Sequence, residues 1–80
     1  MLMVMVEWID CVYSTGVFSP SELGDFKLVT IKTIGYGIEK ENRWILAKEK
    51  FISEGNYRHI TAIPKVGIIK VTMLEEKNGK

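Results

Sequence analysis

KLVTIKTIGYGI, Lys27 to Ile38, is the stretch that decides the fold. It is rich in β-branched residues, as strands prefer, yet it keeps no single alternation. Val29 and Ile31 fall on one face, while Ile34, Tyr36 and Ile38 fall on the other. A bulge or strong bend near Lys32 and Thr33, or at Gly35 and Gly37, reconciles the two phases. A long strand bent in this way curls round a small barrel.

Upstream, Val4, Val6 and Trp8 alternate with Met5 and Glu7, and Ile9, Val12 and Tyr13 extend a first strand. Asp10 falls on the inward phase of Trp8, where a carboxylate is costly unless it is paired or at the rim. The run from Asp10 to Thr15 is therefore either a fastener or the lining of a pocket. Next comes a helix start: Ser19 as N-cap, Pro20 at the first helical position, Glu22 closing a capping box and Phe18 stapling onto Leu23.

Downstream, Glu39 to Arg43 reads as a hairpin loop, followed by a strand with Trp44 and Leu46 on one face and Ile45, Ala47 and Phe51 on the other. Ser53 to Asn56 form a second turn, and Tyr57 to Ile63 a further strand. Pro64 removes a ladder donor, so a tight turn at Pro64 to Gly67 separates a last strand, with Ile69, Val71 and Met73 facing inward. The expected architecture is all-β: a strongly bent antiparallel barrel, SH3-like or OB-like, with one helical turn. Residues 1–74 form its single domain and 75–80 a frayed, charged tail.

Eighty residues build only a thin core, which raises the expectation of self-association. With 11 Lys and Arg against 10 Asp and Glu there is no sequence-wide basic field for nucleic acid. The single cysteine, Cys11, excludes an intramolecular disulfide and fits a reducing, cytoplasmic setting; in a strand it is expected to be a small buried side chain. Met1 to Val6 is too short for a membrane span and lacks the basic flank of a signal peptide.

No motif for catalysis, metal or cofactor emerges. One His and one Cys cannot assemble a Cys and His zinc site, and no strand-to-helix nucleophile turn surrounds Ser14, Ser19 or Cys11. Gly35-Tyr36-Gly37 lacks the Lys-Ser/Thr ending of a phosphate loop. Arg43, Lys48, Lys50, Arg58 and Lys65, with Trp44, Tyr57 and His59 among them, give basic groups interleaved with aromatics. That mixture suits a phosphate-bearing ligand as well as a solvated sheet.

The segments GYGIEKENRWILAKEKF and ITAIPKVGIIKVTML resemble the two-part pattern of Sm-like proteins, in which a glycine on a bent strand precedes a hairpin and a short last strand follows a turn. Gly35 or Gly37, Leu46 and the run Ile63 to Ile69 carry the likeness. The family's RNA-reading Asp and Asn are not matched, since Glu41 and Ile45 stand near them, and Pro64-Lys65 replaces its Arg-Gly. The layout of VEWID, SPSEL, TIGYGI and IPKVGIIKV is also similar to small proteins encoded in phage and prophage genomes. That resemblance implies a non-enzymatic accessory protein of the host cytoplasm, with counter-defence as its sharpest form. The expected activity is sequestration of a small anionic signal, such as a cyclic nucleotide, by a homo-oligomer. Asp10, Tyr13, Ser14, Thr15, Tyr57, Arg58 and Lys65 are the candidate ligand residues, with cations on phosphate and Tyr13 or Tyr57 stacking. The rival readings are an Sm-like single-strand binder and an adaptor for a host protein.

Overall fold

Twelve consecutive extended residues, Val29–Lys40, form the longest strand, β2, and the remaining strands assemble around it. In a computed structural model describing residues 1–11 and 15–75, β1 (Leu2–Asp10), α1 (Pro20–Leu23), β2, β3 (Arg43–Lys50), β4 (Tyr57–Pro64) and β5 (Ile68–Met73) follow in order. All strands lie in one antiparallel sheet, ordered β4-β3-β2-β1-β5. A three-residue 3₁₀ turn, Lys65–Gly67, links β4 to β5. The sheet is open, with β4 and β5 as its edges. The chain is thus all-β as expected, but the barrel is not closed.

The pairing of β1 with β2 runs from Leu2 opposite Gly37 to Asp10 opposite Val29 without a register shift. No bulge interrupts β2 at Lys32 or Thr33. Its glycines serve close packing: a Cβ on Gly35 would lie 2.6 Å from the Ala47 carbonyl oxygen, and one on Gly37 would overlap Val4 Cγ2. The core face is therefore Val4, Val6 and Trp8 from β1 over these glycines, closed by Trp44 and Leu46 from β3, Ile63 from β4, and Val71 and Ile68 from β5. The second apolar phase of β2 is left on the outer face. There Met3, Tyr36, Ala47 and Ile60 stand in one cross-strand row, and Ile38, Ile45 and Ala62 in the next.

The bulge occurs elsewhere. Opposite β5 the register shifts between Glu7 and Trp8, so that Val71 pairs with Val6 and Ile68 with Trp8. Ile69 is the extra residue, which leaves it 56% exposed rather than inward, and Met73 at the strand end is 58% exposed. Ile68 takes the core position expected of Ile69.

Ser19 caps α1 as the sequence demands: its hydroxyl accepts from the Glu22 amide, and the Glu22 carboxylate accepts from the Ser19 amide. Phe18 meets Phe26 edge to face, with ring centroids 4.8 Å apart. Cys11 is exposed, not buried, because β1 ends at Asp10 and the chain has already left the sheet. The extension of β1 through Val12 and Tyr13 lies outside the described residues, as does the expected tail apart from Glu75. No helix is long and apolar enough to cross a membrane among the described residues.

Candidate functional site

The ladder between β2 and β3 holds only from Lys40 opposite Arg43 to Tyr36 opposite Ala47. Beyond that pair β2 continues along β1 while β3 continues along β4, so the two halves of the sheet part. A cleft of about 450 Å³ opens where they diverge, lined by Lys32, Thr33 and Ile34 of β2, Leu46 and Lys48 of β3, and His59, Ile60 and Thr61 of β4. Two lysines, a histidine and two threonines thus line it beside the apolar Ile34, Leu46 and Ile60. This is the donor chemistry that an anionic ligand with an apolar or aromatic body requires.

Two details mark the cleft as more than a gap. His59 adopts φ 59°, the left-handed region, within a strand. A β-branched or bulky side chain there costs about 1–2 kcal/mol, and such strain collects at functional sites. Its Nε2 lies 3.2 Å from Glu49 Oε1, which also accepts from Arg58 Nε at 2.8 Å. The Arg58 hydrogen bond holds the Glu49 carboxyl below its ordinary range, assisted by the charges of Arg58, His59 and Lys48 and opposed by partial desolvation. Arg58 is correspondingly held above its usual value by Glu49.

Thr33 is the second. Trp8 Nε1 donates to Thr33 Oγ1 at 2.9 Å, linking the core indole to the cleft wall. A threonine oxygen that accepts in this way keeps its own O–H free to donate, and Thr33 lines the cleft.

The residues chosen from sequence are dispersed. Asp10 ends β1 and accepts from the Cys11 amide at 2.9 Å, a fastening role for its carboxylate. Thr15 is exposed, and Tyr13 and Ser14 lie outside the described residues. Tyr57 and Arg58 begin β4, beside the cleft: the Tyr57 ring meets Tyr36 at 5.9 Å between centroids, and the Arg58 guanidinium lies 5.0 Å from the centre of the Phe51 ring. Lys65 follows the opposite end of β4, about 20 Å away along a strand of this rise. There it pairs with Glu39, and its amide donates to the Asn42 carbonyl at 2.8 Å. The structure brings Tyr57 and Arg58 together and separates them from Asp10 and Lys65.

Among the described residues, neither Lys32 nor Lys48 is held in an ion pair, whereas Arg58 and Lys65 both are. Of the two lysines that line the cleft, Lys48 belongs to the basic group noted from the sequence and Lys32 does not. Lys48 and His59 stood within the basic and aromatic group noted there, but Lys32, Thr33 and Thr61 did not. Their only sequence signal was the phase change of β2, which marks where it leaves β3. No group of three His, Cys, Asp or Glu gathers to hold a metal among the described residues. No family model, curated protein or solved structure matches this chain.

Proposed function

We propose that this is a non-enzymatic binding protein that takes a small anionic ligand, of nucleotide type, into the cleft where β2 parts from β3, and acts as a homo-oligomer that sequesters it. The observation that carries the reading is one cleft of about 450 Å³ lined by Lys32, Lys48, His59, Thr33 and Thr61, where among the described residues neither lysine is held in an ion pair. The strand order, with the last strand returning to the first, supports the SH3-like or Sm-like architecture, as does the three-residue link between the sheet's edges. The counter-defence role in a phage-infected cytoplasm rests on the resemblance of layout described above.

Calorimetric titration with 3′,5′-cyclic AMP, a cyclic dinucleotide and inorganic phosphate tests the reading. Saturable binding of at least one probe, weakened tenfold or more in the Lys32→Gln/Lys48→Gln double variant, is expected. No binding of any probe at millimolar concentration contradicts it.

A second reading, a single-stranded nucleic-acid binder, is favoured by the rings of Tyr36 and Tyr57, with Lys50 Nζ 5.9 Å from the centre of the Tyr57 ring, beside the cleft. It predicts oligonucleotide affinity that falls steeply with salt, unlike a mononucleotide site. Attachment to a host polypeptide in place of either ligand would move the account to an adaptor.

A further inference from the structure

We infer that the outer face of the sheet docks a second copy of this chain, by a two-fold contact of that face with itself. An antiparallel sheet with one face in water alternates apolar and polar residues, whereas a sheet buried on both sides is apolar in both phases. This sheet is of the second kind. Its two outer rows, Met3–Tyr36–Ala47–Ile60 and Ile38–Ile45–Ala62, carry no charged side chain, and Ile38 and Ile60 are 45% and 57% exposed.

Charges on this face flank its two apolar rows. Glu7, Lys32 and Lys70 neighbour one another across β1, β2 and β5, the Glu49 and Arg58 ion pair borders Ala47 and Ile60 on β3 and β4, and Lys40 and Arg43 lie at the other end. An apolar centre with a charged rim is the anatomy of a protein interface.

The area argues for a full copy of the chain as the occupant. The chain exposes 6557 Å², where a compact monomer of its mass exposes about 4,900 Å². The excess is shared between this face and loop residues such as Val17, Leu28, Ile52 and Val66; it is roughly twice the ~800 Å² that each partner gives to a standard interface, so the face need supply only half of it. The core points the same way, since among the described residues the buried hydrophobic side chains are Val4, Val6, Leu46, Ala47 and Ile63. A patch that faces its own copy across a two-fold axis needs no other partner.

The inference deepens the homo-oligomer part of the proposed function and rests on that part alone; of the two outer rows Ile60 also lines the cleft, whereas Met3, Ile38, Ile45 and Ala62 do not. Sedimentation of the full chain from low micromolar to submillimolar concentration should give a dimer. Ile38→Lys and Ala62→Lys should each weaken dimerisation at least tenfold with unchanged circular dichroism. Ile52→Lys, at a turn residue 86% exposed and off this face, should leave it intact. In the wild-type chain, oxidation of Met3 and Met5 should slow with rising protein concentration while that of Met73 does not. This decides the matter even where a lysine variant fails to fold. A monomer at every concentration, an assembly indifferent to both face variants, or Met3 and Met5 oxidising at a concentration-independent rate overturns the inference. Loss of ligand binding with the dimer intact would strike only the cleft.

Discussion

His59 joins backbone strain to a place in the cleft. Glycine adopts its conformation freely, so His59→Gly should raise stability by up to about 1 kcal/mol in urea unfolding. The same change should weaken anion binding, because the imidazole leaves the cleft. An unchanged or lower midpoint together with intact binding would remove His59 from the account. Gly37 makes the opposite case: a methyl group there meets Val4 Cγ2 and the Trp44 ring, so Gly37→Ala should cost about 1–3 kcal/mol. Neither role was visible in the sequence. A left-handed histidine has no signature of its own, and the glycines were equally compatible with a bend; only the partner strand shows that they make room.

At the scale of elements, the junction of β3 and β4 is tied by Glu49, shared between Arg58 and His59. Its folded-state pKa is lowered from 4.5, so below that value the unfolded chain binds more protons than the folded one and stability rises with pH. The contribution is fully present above the ordinary carboxylate value and is lost as pH falls through the folded one. Glu49→Gln should flatten the acid limb of the stability profile, as read by urea midpoints at successive pH values; an unchanged slope would exclude Glu49 as its source.

Other elements were legible to different degrees. The capping box of α1 was complete in the letters Ser19 to Glu22, because capping is local chemistry. The strands were legible from β-branched content and from Pro64. Which strand would carry the bulge was not, since register depends on the partner. The same reason hid the cleft: it exists because two ladders sharing β2 end at different residues, a property of three strands together.

For the whole molecule, the radius of gyration is 16.7 Å, against about 12 Å for a compact chain of this length. A core this thin leaves little margin, and Leu46→Ala should cost about 2–5 kcal/mol, enough to unfold most of the population of a small domain. If a second copy completes the burial, stability is linked to concentration, and the thermal midpoint should rise with protein concentration. A midpoint independent of concentration would mean that the open sheet stands alone. The short length already pointed to self-association; the second apolar phase of β2 read as a bend, and the face it forms became visible only once the glycines had assigned the other phase to the core.

Whether the parted strands form an anion site is read by titrating a cyclic dinucleotide into ¹⁵N-labelled protein and following backbone amide shifts. The account predicts saturable changes clustered at Lys32, Thr33, Lys48, His59 and Thr61, with the Trp8 indole signal moving through its bond to Thr33. Changes confined to Asp10, Thr15 and Lys65, or none at saturating ligand, would contradict it.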